Sequence, residues 1–209
     1  FHPRKLVTTG DGGMLTTANA AWDRDFRLWR QHSMSVPDTA RHQSREVVFE
    51  AYPELGYNYR MTDIQAAVGR EQLRRLPAIL ERRRMLAARY DTLLAEIPGI
   101  GVPRQPVWAR SNWQSYGVRL PAHCDQREVL QVLLDENISA RRGVMCAHRE
   151  AAYAGREGSC RFPLTESETV QDRTIILPLF HQMSESDQDR VVAVLERAVA
   201  SRQTSIVSD

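Results

Sequence analysis

The chain has 209 residues, 42% of them hydrophobic, and its 28 basic and 26 acidic side chains leave a net charge of +2. This composition is typical of a globular protein; the small net charge argues against a nucleic-acid partner, and no run of about 20 apolar residues indicates a membrane span. Three widely spaced cysteines without a CxxC pair argue against a disulfide framework and a zinc site, so reduced thiols, a cytoplasmic location and no metal are expected.

The beginning of the chain combines two β-type runs with a glycine-rich turn. Residues 6–9 and 14–17 flank the sequence GDGG, which predicts two short strands joined by a tight connection. The next segment, NAAWDRDFRLWRQH, has Trp22, Phe26 and Trp29 at helical spacing. It predicts an amphipathic helix whose aromatic stripe packs into a core.

Residues 35–60 show no sustained period and are expected to form a long loop, which ends in ELGYNYRMTD. Thr62 and Gln65 fit a capping box, so a helix is predicted to start there. Pro77 is expected to break or restart this helix. The apolar stripe continues beyond it to Pro98, and the arginines at 82–84 point in three directions, which favours a solvated face.

The segment PGIGVPRQP at 98–106 reads as a linker, so one domain is predicted at 1–96 and a second at 97–209. In the second, SYGVRL, ISARR and TIILPLF are predicted strands. Asp125 and Ser184 are predicted to begin two helices, and the final SRQTSIVSD is expected to be a frayed tail. Strands that alternate with helices indicate an α/β or α+β unit. The predicted buried side of the last helix contains Val191, Val194, Leu195, Ala198 and Val199.

Lys5 is open to two interpretations from its surroundings alone. A lysine amine is ordinarily a protonated surface cation, and it forms a Schiff base only where it is desolvated or placed beside other cations. His2 and Arg4 flank Lys5, but neighbours in an extended strand point to opposite faces, so their adjacency decides nothing.

Three motifs, however, occur in the order and spacing of a known family. FHPRKLVTTGDGGML, GYNYRMTDIQAAVGREQLRRL and TIILPLFHQMSESDQDRV resemble the pyridoxal-phosphate sugar aminotransferases of the DegT/DnrJ/EryC1/StrS family across nearly the whole chain. The resemblance implies that Lys5 binds the cofactor, pyridoxal 5'-phosphate, as a Schiff base and then transfers a proton during the reaction. Asp11 replaces the glutamate that is common in the family, with the same charge. Relatives with histidine at the lysine position look like dehydratases, so Lys5 favours amino transfer.

The resemblance also assigns a role to Asn58. On its own, this asparagine is a typical loop residue before a helix. In the family, the matching asparagine reaches across a dimer interface to the cofactor phosphate of the other subunit. A homodimer with shared active sites is therefore implied.

A third region, ARRGVMCAHREAAY, corresponds to the part of the family's small domain that lines the sugar-nucleotide pocket. Arg141, Arg142 and His148 are candidates to contact a phosphate or a sugar hydroxyl. An equally open interpretation is a basic surface cluster next to a helix start.

Together these features predict the α/β fold of the pyridoxal-phosphate transferases of the aspartate aminotransferase type (fold type I), with part of the large domain and a small C-terminal α/β domain. The implied function is an aminotransferase that makes an amino sugar from a nucleotide-linked keto sugar with a donor such as L-glutamate. A keto cyclitol is the alternative substrate. By the resemblance, the chain covers roughly the second half of such an enzyme, so a catalytically incomplete fragment or a dimerising regulatory homologue is the alternative function.

Overall fold

The computed structural model describes residues 1–153 and 162–200, and the chain divides into two compact units, Phe1–Leu76 and Pro77–Asp209. The predicted tail SRQTSIVSD and Cys160 lie outside the described residues, and the domain boundary between residues 96 and 97 stays a prediction. The elements in chain order are helices α1 (Ala20–Trp29), α2 (Asp38–Gln43) and α3 (Asp63–Leu94), strand β1 (Tyr116–Arg119), helix α4 (Gln126–Asp135), strand β2 (Arg141–Arg142), two 3₁₀ turns (Ala147–Arg149 and Ala151–Tyr153), helix α5 (Thr165–Arg173), strand β3 (Thr174–Leu177) and helix α6 (Glu185–Ala200).

The predicted strands at 6–9 and 14–17 do not form. The backbone turns back on itself instead, because the N–H of Thr9 donates to the carbonyl of Phe1 at 3.2 Å. Helix α1 is present as predicted, and Asn19 caps it by accepting from the N–H groups of Ala21 and Trp22. Its aromatic stripe does not enter a core, since the helix has no buried residue and Trp22 is 58% exposed.

Helix α3 begins at the predicted capping box but continues through the predicted break. The N–H of Gln65 donates to Thr62 Oγ1 at 3.2 Å, and the N–H of Thr62 donates to Gln65 Oε1 at 3.1 Å. Pro77 lies inside the 32-residue helix. Proline removes one backbone hydrogen bond and crowds the carbonyl four residues earlier, but residues beyond it, among them Leu86 and Tyr90, are buried and stabilise the helix against the core.

The second unit contains a three-stranded antiparallel sheet in the order β1-β3-β2. Tyr116 pairs with Leu177, and Arg141 pairs with Ile176. Side chains alternate along β1, so that Tyr116 and Val118 are buried while Arg119 is exposed. The buried face of the sheet packs on α3, α4 and α6. Its core contains Leu86, Tyr90, Leu94, Val118, Val129, Leu133, Ile175 and the predicted buried side of α6.

Two helix starts agree with the sequence. Asp125 accepts from the N–H of Glu128 at 2.9 Å and caps α4. At α6, Asp187 donates its N–H to Ser184 Oγ at 3.1 Å, and Asp187 Oδ2 accepts the N–H of Ser184 at 2.9 Å. Asp187 Oδ2 also accepts the Ser184 hydroxyl at 2.7 Å, and this hydrogen bond together with the one from the Ser184 N–H lowers the pKa of the Asp187 carboxyl.

The solvated face predicted for the arginines at 82–84 is wrong. Arg83 is only 6% exposed, and its guanidinium donates to the carbonyls of Trp113 and Gln114 at 2.8 and 3.1 Å. Burial lowers the pKa of this guanidinium. Arg82 and Arg84 also donate to backbone carbonyls, at 2.8 and 3.3 Å, so the run connects α3 to distant loops.

Candidate active site

Lys5 lies on a short closed loop rather than on a strand. Its backbone N–H donates to the carbonyl of His2 at 2.9 Å, and Thr8 Oγ1 donates to the carbonyl of Phe1 at 2.9 Å. The buried Thr9 contributes a second bond to the same carbonyl through its N–H, at 3.2 Å. The Lys5 side chain itself is exposed. The loop therefore fixes the Lys5 backbone and leaves the amine accessible.

The GDGG sequence connects this loop to the start of helix α3. Gln65 Nε2 donates to the carbonyl of Asp11 at 3.2 Å. Gly12 has a φ of +145°, and a Cβ on it would lie 2.9 Å from Thr9 Oγ1 and 3.0 Å from Met61 Cε. Only glycine fits this position without a shift of its neighbours. The Lys5 loop is thus attached to the segment that follows Asn58.

Asn58 lies on an extended segment that pairs with the residues after α1. The N–H of Tyr59 donates to the carbonyl of Arg30 at 2.9 Å, and Gln31 and Asn58 form an isolated antiparallel bridge. Gly56 makes this pairing possible, because a Cβ there would lie 2.1 Å from the backbone nitrogen of Ser33. The Asn58 side chain is exposed, and its Oδ1 accepts from Arg60 Nε at 3.3 Å.

These two residues fit the chemistry of pyridoxal phosphate. Lys5 offers a primary amine for an aldehyde, and Asn58 offers an uncharged amide N–H for a phosphate. Both side chains are exposed, and both segments meet the first turn of α3 in the same compact unit. Among residues 1–153 and 162–200, no group of three or more His, Cys, Asp or Glu side chains is arranged to hold a metal ion.

The three predicted substrate residues belong to the second unit. Arg141 and Arg142 form strand β2 and are exposed, and Arg142 Nη2 lies 3.5 Å from Glu150 Oε1. His148, on the first 3₁₀ turn, is half-buried, and its Nε2 lies 2.8 Å from Glu168 Oε1. One ring nitrogen of His148 is therefore already engaged.

Sequence reasoning missed the helix that holds this segment. One face of α5 carries Glu168, Gln171 and Asp172, which contact His148, the backbone N–H of Cys146 and Arg149 respectively. The bidentate contact with Asp172 raises the pKa of Arg149. The sequence feature that could have predicted this helix is the spacing of Glu168 and Asp172, which are four residues apart and so lie on the same helical face.

Comparison with known proteins gives matches over most of the chain. A family model described as the DegT/DnrJ/EryC1/StrS aminotransferase family matches residues 1–196. The spore coat polysaccharide biosynthesis protein SpsC of Bacillus subtilis is 30% identical over 203 residues, which cover 95% of this chain and 52% of SpsC.

Solved structures share the fold. The aminotransferase TlmJ from Streptoalloteichus hindustanus is 27% identical, with a TM-score of 0.79 over 94% of this chain and 50% of TlmJ. The putative sugar aminotransferase Spr1654 from Streptococcus pneumoniae, in its apo form, is 21% identical, with a TM-score of 0.80 over 100% of this chain and 52% of that protein. These matches confirm the predicted fold class. The chain spans about half the length of the relatives that it matches.

None of the helices in the part of the chain that the structure describes is both long and apolar enough to cross a bilayer.

Proposed function

Because the chain belongs to the DegT/DnrJ/EryC1/StrS aminotransferase family, as its motifs predict, we propose that the whole protein is a pyridoxal-phosphate-dependent aminotransferase. The proposed reaction converts a nucleotide-linked keto sugar into an amino sugar, with an amino acid such as L-glutamate as donor. The name of SpsC, which refers to polysaccharide biosynthesis, supports a sugar substrate. Spr1654, which shares the fold, has been solved in PLP and PMP forms. A cytoplasmic location is part of the same proposal.

The observation that carries this proposal is Lys5 itself. It is the only lysine among the 209 residues, so every other basic side chain apart from histidine is an arginine. A guanidinium is permanently protonated and delocalised, so it cannot replace a primary amine in a Schiff base. The only lysine therefore stands in the family motif that requires one, on a loop that exposes its side chain.

Each residue has a defined task in the proposed mechanism. When bound, pyridoxal phosphate supplies an electron sink for the substrate carbon that loses a proton. Lys5 Nζ would hold the cofactor through its aldehyde and, as a free amine during the reaction, would serve as the base and acid that carries the proton at the substrate carbon. The Asn58 amide donates an N–H to the cofactor phosphate of the partner subunit.

The substrate-binding assignments follow from the second unit. We propose that Arg141 and Arg142, which are exposed on β2, contact the phosphates of the sugar nucleotide. His148 is proposed to contact a sugar hydroxyl through the ring nitrogen that does not face Glu168. Arg142→Gln should then raise the KM for the nucleotide-linked sugar while leaving the KM for L-glutamate unchanged, and an equal rise in both would contradict the assignment.

The role of Lys5 is tested by trapping the Schiff base. Full-length protein is loaded with pyridoxal phosphate, reduced with borohydride and digested, and the modified peptide is identified by mass spectrometry. We expect the adduct on Lys5, and an absorbance change of the cofactor when L-glutamate is added. Lys5→Arg keeps the charge but should lose the adduct, and L-glutamate should no longer be converted to its keto acid because the proton carrier is missing. A protein that shows no adduct on Lys5 would instead fit the regulatory homologue.

A homodimer with shared sites is part of the proposal because the family resemblance implies it, and the first unit exposes apolar side chains that a partner subunit could cover. Phe49 and Leu55 are 89% and 88% exposed, and the rings of Tyr57 and Tyr59 stack in the open at a centroid distance of 5.1 Å. Exposed apolar side chains of this kind are typical of surfaces that another part of a protein or a partner subunit covers.

Mixing two inactive variants tests the sharing. The Lys5→Ala and Asn58→Ala variants are unfolded and refolded together, so that heterodimers form. If each site combines Lys5 of one subunit with the phosphate-binding asparagine of the other, each heterodimer contains one intact site. We expect part of the activity to return in the mixture but not in either variant refolded alone. A mixture that forms heterodimers and stays inactive would show that both residues act within one chain.

A further inference from the structure

The solvent-facing side of the sheet in the second unit contains a groove of about 600 Å³. Residues 100–104 run beside strand β1, where Gly101 and Arg119 exchange backbone hydrogen bonds of 2.9 and 2.8 Å. Because side chains alternate along β1, Gly117 and Arg119 face this groove while Tyr116 and Val118 face the core. The volume is in the range of about 300–1,000 Å³ that small-molecule sites occupy.

The groove is open because a side chain is missing from its floor. Gly117 stands where the alternation would place a side chain on the exposed face, and a Cβ there would lie 3.3 Å from Thr174 Cγ2. Ile100, Val102 and Pro103 form an apolar wall beside this floor, and all three are half-buried. Ile176 Cδ1 would lie 3.5 Å from the same Cβ, so an apolar group over Gly117 would contact this wall and the side chains of Thr174 and Ile176 on the neighbouring strand.

The charge of the groove is positive and uncompensated. Arg104 and Arg119 are the only charged residues that line it, and within the described part of the chain neither forms an ion pair. The Arg119 guanidinium lies over Gly101, since its Nε and Nη2 are 3.1 and 3.3 Å from the point that a Cβ there would occupy. Other arginines of the unit, such as Arg89 and Arg149, are paired with carboxylates.

We propose that this groove binds a small organic anion, with its carboxylate or phosphate between Arg104 and Arg119 and its apolar body over Gly117. Arginine presents a planar set of donors that matches both anionic groups. The proposal does not depend on the proposed aminotransferase function, because it uses only groove residues.

The test is calorimetric titration of the full-length protein with phenyl phosphate and, separately, with benzoate. The two probes share an aromatic body and distinguish the phosphate from the carboxylate, and benzyl alcohol is the neutral control. We expect saturable binding of at least one anion and none of benzyl alcohol. Arg119→Gln should weaken binding by about tenfold or more, because a charged hydrogen-bond donor is lost. Arg104→Gln is the second variant, should the first fail to fold.

Two further variants separate this site from general charge attraction. Arg127→Gln removes an exposed arginine of α4 outside the groove and should leave binding unchanged. Gly117→Val fills the floor without changing any charge and should abolish binding in a protein whose circular dichroism matches the wild type. No saturable binding of either anion, or equal weakening by Arg127→Gln and Arg119→Gln, would overturn the proposal.

Discussion

Replacement of Arg83 by methionine tests whether the buried guanidinium holds the loop at 113–114 against helix α3. The substitution keeps an apolar side chain but leaves the carbonyls of Trp113 and Gln114 without their donors at 2.8 and 3.1 Å. A buried carbonyl without a partner costs about 1–3 kcal/mol. Trp113 and Gln114 are only half-buried, and methionine, unlike arginine, carries no charge that must be removed from water. The cost for each carbonyl is therefore expected in the lower part of this range. The free energy of unfolding should fall by about 2–4 kcal/mol.

Urea denaturation followed by circular dichroism measures this change. Arg75→Met is the matched control, because Arg75 is exposed on the same helix and its replacement should change the free energy of unfolding by less than about 0.5 kcal/mol. Arg83→Lys, which offers a single ammonium in place of two donors in a fixed plane, should fall between the two. Equal stability of Arg83→Met and Arg75→Met would refute the reasoning, since water would then satisfy both carbonyls.

Two further predictions concern a glycine and a carboxylate. Gly56→Ala should destabilise the protein by about 1–3 kcal/mol and weaken cofactor binding, because its Cβ would lie 2.1 Å from the Ser33 nitrogen. Gly13→Ala is its control in thermal unfolding and cofactor titration, since a Cβ there has no atom within 4 Å. Asp187 has a lowered pKa in the folded protein because of its hydrogen bonds with Ser184, so its stabilisation is present above its unfolded pKa and is lost as pH falls through the lowered value. Urea midpoints of Asp187→Asn and wild type should therefore differ at neutral pH and converge in acid, and a constant difference would contradict this.

The parts of the fold that the sequence predicts correctly depend on neighbours in the chain. The capping box of Thr62 and Gln65 and the N-caps at Asp125 and Ser184 join atoms three residues apart, so local pattern is sufficient. The role of Arg83 was not predictable in this way, because its acceptors are 30 and 31 residues further along the chain. The continuation of α3 through Pro77 was not predictable from local sequence either. It depends on the burial of residues further along the helix, which outweighs the backbone hydrogen bond lost at the proline.

The candidate site shows the same division. Lys5 and Asn58 could be proposed from the sequence because their motifs are contiguous stretches of the chain. The strand predicted at 6–9, directly after Lys5, was wrong, because Thr8 and Thr9 donate to the carbonyl of Phe1 rather than to a neighbouring strand. The pairing of His148 with Glu168 was missed because it joins residues 20 positions apart, and one of them lies on a helix that the sequence did not predict.

The sheet of the second unit has a consequence for the behaviour of the protein at high concentration. At one edge of the sheet, the backbone of Arg119 in β1 is already hydrogen-bonded to Gly101. At the other edge, strand β2 has only two residues, and both are arginines. Edge strands that are short, charged or covered offer few free backbone N–H and C=O groups with which a strand from another molecule could pair. Association of concentrated protein through stacked β-strands should therefore be disfavoured at this sheet, and aggregates that do form should start elsewhere.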